Sequence, residues 1–304
     1  MPKQYTYDST VRVEDVRDLI ANVAIRKTPF ISNIGVAPNA TDTAHSWLQD
    51  TLENSGDNAQ VEGADPTYTK PVDPTKASNV TQILEEPFRI SWSQLNVKHH
   101  GFADPWSYHK VKETIALKKD LEHAALFGTL ASGTGSAARR MNGLIAFIST
   151  YKDGSSFSGK LLSASIFNEL ARNVWINSEI LGGVALVGSF QKSRISQNFA
   201  SFDSANRRDI VIGNRTLSIP IDTIITDYGD YEIQLSHEMN TEVPDAVVGY
   251  QPDFHKIAYL INSEPQAVEF APTGKARQGM IWTQGTLEVH EEKTNGMVLN
   301  LATS

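Results

Sequence analysis

The stretch TAHSWLQDTLENSGDNAQVEGADPTYTKP, Thr43 to Pro71, most limits what this chain can fold into. It is acidic and punctuated by prolines, and its only large apolar side chains are Trp47, Leu48, Leu52, Val61 and Tyr68. Ordering a residue costs roughly 1–2 kcal/mol of backbone entropy, and so few apolar groups cannot meet that cost. The chain has no cysteine, so no disulfide staples the segment. Either the segment stays disordered, or it orders against a surface that the rest of the chain does not supply.

The remainder is ordinary globular material. With 304 residues, 40% hydrophobic and 20% charged, the chain has enough for one large or two modest domains with a real core. The opening MPKQYTYDST lacks the apolar centre of a signal peptide, and no run approaches the ~20 apolar residues of a membrane span, so a soluble cytoplasmic product is expected. The net charge of −8 argues against a nucleic-acid coating surface. Charge is unevenly spread. Residues 41–90 hold nine acids against three bases, whereas residues 98–140 hold seven bases against four acids. Two solvated faces of opposite sign is the plain reading; an acidic arm pairing with a basic helix of a neighbouring copy is the sharper one.

Along the chain, VRVEDVRDLIANVA (residues 11–24) has helical apolar spacing, ended by Pro29 and Gly35. SWLQDTL and NVTQILEEPFRISWSQLNV read as extended runs leading out of and back into the body, a protruding hairpin with a long turn-rich tip. The clearest helix runs from the Asp104 cap and Pro105 to Gly128. Its buried side holds Val111, Ile115, Leu117, Leu121, Ala124 and Ala125, and Lys118 and Glu122 are spaced to pair. After a Gly/Ser/Ala linker come a helix over LSASIFNELARNVWIN, a strand GGVALVG buried on both faces, a helical SFQKSRISQNF and a run of strands. The tail predicts a hairpin turning at Asn295-Gly296.

No catalytic constellation emerges, and no catalytic, cofactor or metal residue is assigned. Ser132–Ala138 lacks the Lys-Ser/Thr of a phosphate loop and follows a helix. Ser189 sits where a nucleophile elbow would, but the second glycine is missing and a helix-capping serine fits better. His237 opens half of a zincin motif, the adjacent His99 and His100 point apart, and Asp227, Asp230 and Glu232 are too sparse for calcium.

The order of elements resembles the major capsid proteins of tailed bacteriophages, with the Hong Kong 97-type α+β fold. VRDLIANVAIRKTPFISNIGVAPNATDTAHSWLQDTL and GTLEVHEEKTNGMVLNL resemble the opening and the last strands of the major head protein family typified by phage SU10. The resemblance implies an N-terminal arm and short helix (1–40), an extended E-loop hairpin (41–97), a peripheral domain (98–144 and 263–304) whose spine helix spans about 104–128, and an axial domain (145–262). It implies a structural subunit, not an enzyme and without a cofactor, that assembles through hexamers and pentamers into an icosahedral head around double-stranded DNA. The E-loop lies over the adjacent subunit, which makes Trp47, Leu48, Leu52, Val61 and Tyr68 its candidate inter-subunit contacts. The implied partners are further copies of the chain, a portal protein, a separate scaffolding protein, decoration proteins and DNA held without specificity, with no membrane. The implied location is the virion, assembled in the host bacterial cytoplasm. Nothing in the spacing of Lys70 and Lys76 supports the lysine–asparagine cross-link of certain family members. An encapsulin-like compartment is the nearest alternative. An α/β hydrolase-like enzyme, using Ser189 or Asp227 with His237 or His255, is more distant.

Overall fold

A computed structural model describes residues 28–303, apart from 51, 54, 67, 100–103, 199–209, 213–214 and 218–221. The helix expected over residues 11–24 lies outside the described residues. The chain enters through a helical turn, α1 (Pro29–Asn33), and a short strand, β1 (Gly35–Val36). Pro29 opens α1, since its missing N–H costs nothing at the first position, and Thr28 before it is non-helical.

The hairpin strands β2 (Ala44–Gln49) and β3 (Thr75–Val80) pair antiparallel, from Ala44↔Val80 to Gln49↔Thr75. β4 (Gln82–Ser91) continues from β3. The extended run then gives way to a helical turn, α2 (Trp92–Asn96), capped by Ser91, whose Oγ accepts from the Gln94 amide. α3 (Pro105–Phe127) has the expected ends: the Asp104 carboxylate accepts from the amides of Trp106 and Ser107, and Gly128 closes the helix. Next come α4 (Leu144–Phe147), β5 (Lys152–Asp153), α5 (Ala164–Ser178), β6 (Gly183–Val187) and α6 (Ser189–Asn198). They are followed by β7 (Ile210–Ile212), β8 (Arg215–Leu217), β9 (Thr223–Thr226), β10 (Gly229–Leu235), α7 (His237–Glu242) and β11 (Val247–Tyr250). The last strands are β12 (His255–Tyr259), β13 (Gln266–Phe270), β14 (Ala276–Val289) and β15 (Gly296–Val298).

Two sheets organise the described residues. In one, β14 pairs along one edge with β4 and along the other with β13 and β12, and β1 adds in parallel to β12. The other has the order β5-β15-β11-β6-β10-β9. Its central strand β6 is buried on both faces. Val184 and Leu186 enter a core shared with α3, α4 and strands of the first sheet, while Ala185 and Val187 enter a second core against α5. The alternation follows from the two-residue repeat of a strand.

β14 and β15 do not form the expected terminal hairpin with each other; they belong to different sheets. A 3-10 turn, Glu292–Thr294, intervenes, and Gly296 is pressed against α5, where an added Cβ would lie 2.8 Å from Val174 Cγ2. The glycine serves close approach, not a two-residue turn. Helical periodicity misplaces Val111 of α3, and it puts Glu122 on the correct side but with the wrong partner. Val111 is 61% exposed, and Glu122 turns into the core instead of pairing with Lys118.

The N-terminal end of α3 is held by Trp106. Its ring centroid lies 4.6 Å from that of Phe88 on β4 and 4.1 Å from the Arg277 guanidinium, and a Cβ added at Gly279 of β14 would come within 3.0 Å of its six-membered ring. Trp106→Ala is expected to cost about 3–5 kcal/mol, read as a lowered urea midpoint with unchanged slope, and Trp106→Phe distinctly less.

The projecting hairpin as candidate functional site

The root of the hairpin is built by alternation along β2. His45, Trp47 and Gln49 share one face, and all three reach the end of β14. His45 Nε2 lies 2.5 Å from Glu288 Oε1, the Trp47 indole N–H donates to the Val289 carbonyl at 3.0 Å, and the Gln49 amide donates to the carbonyls of Val289 and His290. His290 meets the other Glu288 oxygen at 3.1 Å. On β3, buried Asn79 donates to the carbonyls of Leu287 and Asn142 and accepts from the Asn142 amide. These bonds fix the direction in which the hairpin leaves the body.

Beyond Gln49 the chain changes character. Every described residue from 50 to 74 is exposed. Within that stretch one backbone hydrogen bond stands among the described residues, from the Ala64 amide to the Val61 carbonyl, across a turn in which Gly63 has φ 81°. Of the five apolar residues singled out in the sequence, Trp47 is buried against its own chain. Leu48, Leu52, Val61 and Tyr68 are 70%, 97%, 81% and 89% exposed. Val72, just past the quoted stretch, is 87% exposed and belongs with them. The hairpin is thus an arm with a root bonded to its own sheet and an acidic tip bearing unburied apolar groups.

A second feature lies behind the arm. The Glu122 carboxylate, buried in α3, accepts from the amides of Phe30 at 2.9 Å and Ile31 at 2.8 Å, tying α1 to the long helix. Burial pushes its carboxyl up to about 7, against the opposing pull of those two amides, with a smaller push from Glu238. Phe30 packs edge-on against Tyr250 and His255.

Among the described residues no hydrogen bond joins Ser189 or Asp227 to His237 or His255. The Ser189 hydroxyl donates to Asn240 Oδ1 at 2.6 Å, and Asp227 accepts from Asn168. His255 Nδ1 meets the Gln251 carbonyl at 2.7 Å, and burial pushes this imidazole down to about 4, leaving it neutral at pH 7. His99 meets the Gln94 carbonyl, and His100 lies outside the described residues. Among the described residues, no group of three metal-ligating side chains could hold an ion, and no helix is long and apolar enough to cross a membrane.

Comparison with known proteins gives the arm a context. The family model of the SU10 major capsid protein matches residues 2–302. The major capsid protein of Escherichia phage Phieco32 is 32% identical over 126 residues, 40% of this chain and 35% of that protein. This chain thus matches about a third of the length of that relative. The capsid asymmetric unit of cyanophage A-1(L) superposes with a TM-score of 0.67 at 10% identity, covering 98% of this chain and 99% of that one. The holo-SrpI encapsulin complex of Synechococcus elongatus superposes at 0.62 and 8% identity, covering 96% and 94%. The fold of these shells is the fold of this chain, and with the family match along nearly its whole length the chain belongs to the SU10 major capsid protein family.

Proposed function

We propose that this chain is the head-forming subunit of a tailed phage, assembling through hexamers and pentamers into an icosahedral shell around double-stranded DNA, and that it performs no catalysis. The observation that carries this reading is the arm. Its root is bonded to its own sheet, and Leu48 on the outer face of β2 and Leu52, Val61, Tyr68 and Val72 on the tip stand exposed. Apolar groups held out in this way gain their burial from a neighbour. An arm on one side that meets a different surface on the next copy makes a heterologous contact, which closes into rings where the rotation between copies is a whole fraction of a turn. In this reading residues 41–97 are the E-loop, α3 is the spine helix of a peripheral domain, and residues 145–262 form the axial domain. Portal, scaffolding and decoration proteins and packaged DNA are the partners of such a head, which is assembled in the bacterial cytoplasm.

Light scattering after size exclusion, with electron micrographs of the same fraction, tests the reading. Megadalton particles or rings are the expected result, and their contents, DNA or a cargo protein, separate a head from an encapsulin-like compartment. A stable monomer whose segment between Glu53 and Thr75 resists protease would overturn it.

A further inference from the structure

Residues 131–140, a linker by composition, fold as a short hairpin just after α3. Ala131 and Arg140 exchange both backbone hydrogen bonds at 3.0 Å. Thr134 and Ala137 exchange theirs at 3.0 and 3.3 Å, which leaves Gly135 and Ser136 as the tip. The Met141 amide donates to the Gln82 side chain at 3.1 Å and holds the hairpin against the start of β4. A cleft of about 360 Å³ opens there, lined by exposed Ile83 of β4 and, from the hairpin, by Ser132, Thr134, Ala137, Ala138 and Arg139.

Arg139 carries the charge of this cleft, and no acidic side chain lines it. Its stem lies across Gly133, where φ is 77° and an added Cβ would come 2.6 Å from Arg139 Cγ. The arginine is half-buried and, among the described residues, makes no ion pair or side-chain hydrogen bond. A fixed guanidinium with unspent donors fits a planar carboxylate, which it can meet through two parallel hydrogen bonds. The amides of Ala131, Thr134, Ala137 and Arg140 are spent within the hairpin, so they cannot cradle a phosphate. The volume is at the small end for a ligand site, room for an acidic side chain and one apolar neighbour.

We propose that this cleft is a socket for an acidic peptide segment of a partner protein. A glutamate or aspartate of the segment meets Arg139, and an adjoining apolar side chain covers Ile83. On a chain of net charge −8, repulsion elsewhere favours this seat over casual contact. The socket is complete within one chain, so it goes beyond the shell reading and does not depend on it.

A dansyl-labelled, end-blocked peptide Gly-Leu-Glu-Leu-Gly, titrated with the full chain and followed by fluorescence anisotropy, tests the socket. It should bind with a Kd below about 1 mM. The same peptide with Gln in place of Glu should bind at least about tenfold more weakly. Arg139→Gln should cause the same loss, and Gly133→Ala should approach it by pushing the arginine aside. Arg139→Lys should keep part of the affinity, because it retains the charge without the fork. Urea midpoints of the variants report their folding, and the Gln peptide makes the same comparison on the wild-type chain. Absent binding, equal binding of the two peptides, or wild-type affinity in Arg139→Gln would overturn the socket. So would displacement of the peptide by sodium phosphate where sodium chloride of equal ionic strength has no effect, since the site would then be one for phosphate. Each readout is made on the chain as purified, monomer or particle, so failure of the socket leaves the shell reading standing.

Discussion

Replacing residues 50–74 by Asn-Gly should give a chain that folds at least as stably as the wild type and forms no particles. The register allows the change. Gln49 and Thr75 face each other as the last pair of the hairpin, and a two-residue Asn-Gly turn closes such a pair in the hand that matches strand twist. Among the described residues nothing buried is lost, since each one removed is exposed. Shortening the loop from 25 residues to two removes closure entropy, a gain of about 2 kcal/mol at 0.6 kcal/mol per halving of length. Stability and assembly should therefore move in opposite directions. The root bonds of His45, Trp47, Gln49 and Asn79 remain, so the stem should keep its place on β14. Urea unfolding of the variant beside light scattering makes the comparison. Particles formed at wild-type yield would remove the arm from any role in association, whereas a lowered urea midpoint would mean that the arm supports its own subunit.

Much of this architecture can be read from local chemistry, because the signals involved are themselves local. Asp104, Pro105 and Gly128 mark both ends of α3, and the uninterrupted GGVALVG run marks a strand buried on two faces. The arm is legible for a different reason: its composition cannot bury itself, and that holds for any fold. What stays hidden depends on distant partners. Trp47 looks like the other apolar residues of the arm until Val289, 242 residues away, accepts its indole proton. Val111 fits a buried helical stripe, but the sheet that α3 rests on leaves that side open. Asn295-Gly296 has the letters of a hairpin turn, yet the close approach of α5 decides what the glycine does. The role of Glu122 is the least visible in sequence, because it is set by amides more than ninety residues earlier in the chain.

Glu122→Ala is expected to destabilise the fold by about 2–5 kcal/mol, since it strands the buried amides of Phe30 and Ile31, each costing about 1–3 kcal/mol when left without an acceptor. Glu122→Gln keeps one good acceptor and should cost less. The two variants separate further in their pH dependence. The folded carboxyl is raised to about 7 from an ordinary value of 4.5, so the folded state holds a proton that the unfolded chain releases. Its contribution is complete below 4.5 and is lost as pH rises through 7, an amplitude on the order of 3 kcal/mol. His255 works in the other direction. Its imidazole is depressed to about 4, so its contribution is present above 6.5 and disappears as pH falls toward 4. Glu86, raised to about 7 by burial and by its hydrogen bond to Asp120, has the same sign as Glu122 but is partly open to solvent, which weakens its share. Wild-type stability should therefore stay nearly level between pH 5 and 6.5, where the Glu122 loss and the His255 gain offset each other, and fall above pH 6.5; Glu122→Gln should instead rise across the first window and lose most of the later decline, while Glu86→Gln removes only a small part of it. Urea midpoints across that range decide the matter, and hydrogen exchange at the Phe30 and Ile31 amides locates it. If the Glu122→Gln profile runs parallel to wild type, the carboxyl is ionised throughout, and the tie between α1 and α3 carries no proton.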